Sequence, residues 1–253
     1  MIEVIAKPGH EPMRVVAVMD EPVAYQGDLL HLDGPLAQAA FRELDERTRK
    51  TLPPVHALAG EPWVVDIKLP LATWWVDYDR DRHGPIEERL LKRSVRGKDG
   101  PPPRLWGWCA SAADERAWDA RGKLEVRKRP ELGKMARYTD AKTANIKSGH
   151  MKAYDLPIPT VFAREVVWHA IGDIERVRHL LTTHIQAIGK KRNIGAGTVR
   201  EWRVEHCPEA AERWKERRLP AGVVDGPQRY ASIRPPYWHH SRMLITVEPT
   251  WET

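Results

Sequence analysis

The order of elements along the chain predicts an α+β fold with a ferredoxin-like sheet, the architecture of RNA-recognition domains, interrupted by long insertions. Two observations predict it. A strand and a helix are expected near the N-terminus, at residues 13–19 and from Pro35 onward, and a strand–helix–strand series spans residues 164–205. Between that second helix and its strand stands Lys190-Lys191-Arg192-Asn193-Ile194-Gly195-Ala196-Gly197, three consecutive cations in a loop with little side-chain bulk. The 253 residues are read as one domain over 1–253, with a basic arm at about 121–152 and a C-terminal extension at about 207–253.

Taken in order, residues 1–12 read as a leader. Residues 13–19 alternate as a strand, with Arg14, Val16 and Val18 opposite Val15, Ala17 and Met19. Pro35 suits the first turn of a helix running to about residue 48, with Leu36, Ala40, Phe41 and Leu44 inward and Asp33 or Gly34 as its cap. His31 beside Asp33 has the composition of an acid–base pair, but a capping Asp33 with His31 packed at the helix start explains both. A proline-broken connection follows at 49–61. Residues 63–70 read as a strand ended by Pro70, which Trp74-Trp75-Val76 extends.

Asp77, Asp79 and Asp81 alternate with Tyr78, Arg80 and Arg82. Without a calcium loop's glycine and terminal glutamate, this is a solvated charge run. A short helix at 86–95, an exposed loop at 96–104, a strand at 106–110 and a polar, helically turning stretch at 114–120 come next. Residues 121–152 hold 10 Lys and Arg against 3 Asp and Glu, too little apolar content for a core, and read as an arm that orders on a polyanion. The alternative is a flexible solvated insertion.

Residues 156–159 and 164–172 are expected strands. In the second, Val166, Trp168 and Ala170 alternate with Val167, His169 and Ile171, which predicts a central strand buried on both faces and a core histidine. The helix at 174–188 places Ile174, Val177, Leu180, Leu181, Ile185 and Ile188 on one face, with Asp173 as N-cap and Gly189 at its C-terminal end. The strand at 198–205 sets Arg200, Trp202 and Val204 against Val199, Glu201, Arg203 and Glu205. The tail reads as a charged helix at 209–218, a proline-rich run at 220–236 and a strand at 241–248.

Composition narrows the chemistry. The balance of 41 Lys and Arg against 35 Asp and Glu gives +6, and the basic zones concentrate it, which suits a polyanionic partner. Cys109 and Cys207 form neither a disulfide scaffold nor a thiolate zinc site. No apolar run reaches membrane-spanning length and no signal peptide opens the chain, so a cytoplasmic protein without membrane contact is expected. The 11 Trp could stack on bases, but most are expected in the core or at interfaces. No cofactor and no metal are expected. Gly195-Ala196-Gly197 follows a helix and leads into a strand, the reverse of a dinucleotide-binding fingerprint. Such a loop lets backbone amides and cations approach phosphates closely; an ordinary helix–strand connection with solvated charges accounts for it equally well.

Four segments carry a resemblance: Gly27-Asp28-Leu29-Leu30-His31-Leu32-Asp33-Gly34-Pro35-Leu36, Ser148-Gly149-His150-Met151-Lys152-Ala153-Tyr154, Trp168-His169-Ala170-Ile171-Gly172-Asp173, and the stretch from Ile188 through the glycine loop to Trp202. Together they resemble the Csf3 (Cas5-like) subunit of type IV CRISPR complexes, in the RAMP superfamily. Residues 74–120 match nothing in that pattern. The resemblance implies a non-catalytic ribonucleoprotein subunit in antiviral defence that caps the 5′ handle of the guide RNA. It implies contacts with the helical-backbone subunit and a large subunit, and with target nucleic acid only indirectly. On it, Lys190, Lys191, Arg192 and Asn193 bind RNA, while Gly189, Gly195 and Gly197 permit close backbone approach. Lys142, Lys147, Lys152 and Tyr154 belong to a clasping arm, and His31 joins the RNA-binding set. Two alternatives stand beside it. One is a metal-independent endoribonuclease cutting CRISPR repeat RNA with His31, Tyr154 and Lys190; the other is an RNA-binding protein outside CRISPR.

Overall fold

Met13 and the run from Val15 to Val18 are at most 4% exposed, and this β-branched stretch makes the innermost strand of the protein. The computed structural model describes residues 2–25, 29–44, 67–86, 103–114, 118–128, 152–235, 237 and 243–249. Within them, the chain runs β1 (Glu3–Ile5), β2 (Glu11–Met19), β3 (Val23–Ala24), α1 (Asp33–Glu43), β4 (Thr73–Asp77), a single turn α2 (Arg80–His83) and β5 (Arg104–Trp108). It continues with β6 (Ala120–Lys128), β7 (Tyr154–Phe162), β8 (Glu165–Gly172), α3 (Ile174–His184), β9 (Val199–His206), a turn α4 (Ala210–Arg213), β10 (Leu219–Pro220), β11 (Gln228–Ser232) and β12 (Met243–Val247). The α+β class holds, with small antiparallel sheets and two longer helices.

The body sheet has the order β8-β2-β9, each pair antiparallel. Its helix-facing side buries Val15, Ala17, Trp168, Ala170, Trp202 and Val204 against Leu36 of α1 and Val177, Leu180 and Leu181 of α3. β2 is paired along both edges, while β8, expected as a central strand, pairs in full only with β2. The two read alike because β8 is also buried: single bridges from Leu71 to Gly172 and from Ala110 to Ala170 cover its outer edge. His169 is a satisfied core histidine. Its Nε2 lies 3.2 Å from Arg213 Nη1, and Ser111 Oγ accepts its backbone N–H at 2.9 Å.

Asp173 caps α3 as expected, accepting the Arg176 N–H at 2.9 Å. The helix stops at His184, four residues early. Residues 186–188 pair instead with the chain entering β9, through Val199 N–H to Gln186 O and Ile188 N–H to Gly197 O, both at 2.9 Å. Ile185 and Ile188 stay buried in this extended form, which is why helical spacing fitted them. Similarly, α1 ends at Glu43 rather than near residue 48; residues 45–48 lie outside the described set.

Several expectations change at the edges. The leader contains β1, which pairs with β4, and β2 already begins at Glu11. Residues 67–70 of the expected strand are irregular and the strand starts at Thr73; residues 63–66 lie outside the described residues, as does nearly all of the helix expected at 86–95 and of the loop at 96–104. Within the acidic run, Asp79 caps α2 by accepting the Asp81 N–H at 2.9 Å. Trp118 and Asp119 are not helical and lead into β6. The basic arm is corrected over 121–128: these residues form β6, which pairs with β7 from Ala120↔Phe162 to Lys128↔Tyr154, with β3 on the ribbon's other side. Residues 129–151 lie outside the described set.

The tail is not an appendage. Its sheet, ordered β10-β12-β11, shares a second core with β4 and β5 built from Trp74, Leu105, Trp214, Leu219, Ile233 and Leu244. The expected helix at 209–218 shrinks to α4, and the proline-rich run contains β10's Pro220 and β11. Arg217 ties this sheet to α1. Fully buried, it faces Asp33 Oδ2 at 3.3 Å and donates to the carbonyls of Trp108 (2.6 Å) and Ala110 (2.8 Å). Asp33 therefore does not cap α1. Leu32 occupies the cap position without a side-chain bond, and the Asp33 carboxylate takes Arg217 and the Tyr237 hydroxyl. Tertiary charge pairing has overridden the local capping role.

Candidate nucleic-acid interface

The glycine loop is pinned at both ends. Lys190 N–H donates to Ala24 O and Gly197 N–H to Pro22 O, both at 2.8 Å, so β3 holds the loop across its base. Between these anchors Lys191 takes φ +58°, the one positive-φ position filled by a non-glycine residue among the described residues. A short 3-10 turn, Arg192–Ile194, follows and closes on Gly195. Holding a lysine in the left-handed region costs on the order of 1 kcal/mol, which the two anchors sustain.

The three glycines do different jobs. Gly189, at φ +82°, would carry a Cβ 2.7 Å from Ala24 O, and Gly197, at φ +70°, one 2.0 Å from Ile188 O. At both positions the loop closes on its own backbone too tightly for a side chain. Gly189 is also not a helix cap, since α3 has already ended. Only Gly195, at φ +90°, has no atom within 4 Å of its Cβ position.

Lys190, Lys191, Arg192 and Asn193 line one side of a cleft of about 650 Å³. The opposite wall comes from the two helices: Gln38 and Arg42 of α1, and His184 at the end of α3. Arg192 donates to Gln38 Oε1, and Arg42 to the His184 carbonyl, so the loop is tied to the helices. No carboxylate among the described residues lines the cleft. Glu43, next to Arg42, turns to Arg176, His179 (3.2 Å) and His184 (3.3 Å) instead. Burial, and then the neighbouring Arg42 charge, hold the Arg192 guanidinium below its ordinary value. Among the described residues Arg192 has no carboxylate partner, so like charges converge there without compensation, an arrangement that favours an anion.

The remaining expected residues do not join this cleft. His31 is 3% exposed and its ring stacks on Tyr237 at 4.3 Å, with neither ring nitrogen hydrogen bonded among the described residues. Burial first, then Arg217 and Arg218, hold it well below its ordinary value, so it is neutral and unavailable to RNA. Tyr154 is exposed but pairs with Lys128 at the far end of the β6–β7 ribbon, eight residues from Phe162. At strand rise this is roughly 26 Å from the end near the glycine loop. Lys152 is exposed just before it. Lys142 and Lys147 lie outside the described residues. His31, Tyr154 and Lys190 are not brought together. Sequence reasoning missed Gln38 and Arg42, although their four-residue spacing on the side of α1 away from Leu36 marks one outward helix face.

Comparison with known families gives a match over the C-terminal part of the chain. The family described as CRISPR type IV associated protein Csf3 matches residues 106–249, more than half of the chain, from β5 through the glycine loop to the tail sheet. No curated protein matches the chain.

Proposed function

The chain belongs to the Csf3 family of CRISPR type IV associated proteins, and from that premise we propose that it is a non-catalytic, RNA-binding subunit of a type IV CRISPR ribonucleoprotein. It takes the 5′ handle of the guide RNA on the glycine loop, caps that end of the complex and abuts the helical-backbone subunit and a large subunit. The observation that carries this reading is the cleft between the loop and the helices: Arg42, Lys190, Lys191 and Arg192 converge on it, and no carboxylate among the described residues lines it. A phosphate chain neutralises such a group of cations and releases counterions. Asn193 and the 3-10 turn add neutral donors at the same edge.

The sheet supports the same reading. The antiparallel order β8-β2-β9, with α1 following β2 and α3 between β8 and β9, is the order of three of the four strands in a ferredoxin-like unit of the RAMP kind. A non-catalytic role is supported by the separation of His31, Tyr154 and Lys190, since acid–base cleavage needs its groups within hydrogen-bond reach of one phosphate.

The test is incubation of the purified chain with labelled repeat RNA in EDTA, scored for binding and for cleavage. Binding without cutting is expected. Cutting at one site with a cyclic phosphate end would replace this reading with an endoribonuclease, and absence of binding would overturn RNA contact by the isolated subunit.

A further inference from the structure

The glycine loop has a second side. Residues 194–196 and Thr198 line another cleft, of about 570 Å³, shared with the β6–β7 ribbon and the turn between β2 and β3. Its chemistry is the opposite of the cationic cleft. Asp20 and Glu21 stand in its lining with Lys123, and Arg200 lies 3.8 Å from Asp20 Oδ1. Two large apolar side chains remain uncovered there: Phe162 is 46% exposed and Ile194 is 52% exposed. Between them Gly195 leaves bare backbone, with open space where a Cβ would sit.

Glu21, and Asp20 beside Arg200, offer acceptors that a phosphate cannot use, and a phosphate gains nothing from an aromatic ring. A nucleobase fits on both counts. Its face stacks on an aromatic or aliphatic wall, and an exocyclic amine donates to a carboxylate, which only accepts. Uracil has no such amine. The site adjoins the cationic cleft through consecutive loop residues, Asn193 on one side and Ile194 on the other. A single strand crossing the loop would thus meet cations first and an apolar, acidic niche next.

We propose that this second cleft seats one unstacked, amine-bearing base of the bound RNA. The base lies against Phe162 and Ile194 with its amine toward Asp20 or Glu21, while the adjoining phosphates occupy the cationic cleft. The proposal rests on the RNA-binding reading above and adds base selectivity to it.

The experiment is fluorescence anisotropy of the full chain with short single-stranded probes: all-adenosine, all-cytidine, all-uridine and an abasic ribose-phosphate strand. The double variant Phe162→Ala/Ile194→Ala is expected to bind the adenosine and cytidine probes about tenfold more weakly. Its salt dependence and its binding to the abasic strand stay as in the native chain. The native chain binds the uridine probe several-fold more weakly than the other two, and Asp20→Asn/Glu21→Gln narrows that gap. Unchanged adenosine binding in the Phe162/Ile194 variant, or an equal loss on the abasic strand, overturns the base niche while leaving phosphate binding standing. Failure of the native chain to bind any probe overturns the parent reading and this one with it.

Discussion

Two arginines of this protein show how the same side chain is used in opposite ways. Arg217 is fully buried, faces the Asp33 carboxylate and donates to backbone carbonyls, so its charge and most of its donors are consumed by the fold. Arg192 stands at a cleft rim, tied to a neutral glutamine and crowded by Arg42, with no carboxylate partner among the described residues. The first cation is paired within the fold; the second sits where burial and Arg42 disfavour its charge. Counting basic residues along the sequence cannot separate these cases, but the partner each finds does.

The contrast is broken most severely at Arg217. Arg217→Met should lower stability by about 3–5 kcal/mol, because it strands the Asp33 carboxylate and several carbonyls in the interior. A urea titration checks this, and the same titration of Arg192→Met should show less than about 0.5 kcal/mol. Similar unfolding midpoints for the two variants would erase the distinction.

The glycines sharpen it within the loop. Gly197→Ala drives a methyl toward Ile188 O at positive φ and should cost about 3 kcal/mol. Gly195→Ala meets only the backbone strain, about 1 kcal/mol, and its methyl enters open space. Thermal melts of the two variants give the order; equal shifts would mean that the loop closure on Ile188 is not rigid.

A smaller effect separates core from rim by pH. Burial first, then Arg213 and Arg14, hold His169 down to about 4, against an ordinary 6.5. The unfolded chain therefore takes up a proton between those values that the folded chain refuses. Stability is full above pH 6.5 and falls as the pH drops toward 4. His31 acts in the same direction. Urea midpoints across this window should decline, with a shallower decline for His169→Gln.

Much of the body was legible from the sequence because β2, β8, α3 and β9 each bury a periodic apolar face, and periodicity is local. Asp173 was readable as a cap because capping is also local. Asp33 was not, since its partners Arg217 and Tyr237 lie some two hundred residues away and only the tail's return reveals them. The β6 strand was hidden by its own composition: Arg121, Lys123, Glu125 and Arg127 face outward and are exposed, while the inward Gly122, Leu124 and Val126 are only partly buried. The cations of the candidate site were visible as a run, but the wall opposite them, Gln38 and Arg42, is supplied by another helix and required the fold.

The claim that Lys190, Lys191 and Arg192 form a phosphate site is tested most directly by salt. Affinity for single-stranded repeat RNA is measured across a range of salt concentrations for the native chain and for Lys190→Ala/Lys191→Ala/Arg192→Ala. Each cation that engages a phosphate contributes roughly 0.7 to the slope of log affinity against log salt. The triple variant should therefore bind more weakly, with a slope shallower by about 2 and an unchanged thermal melt. An unchanged slope would contradict the placement of RNA at this loop.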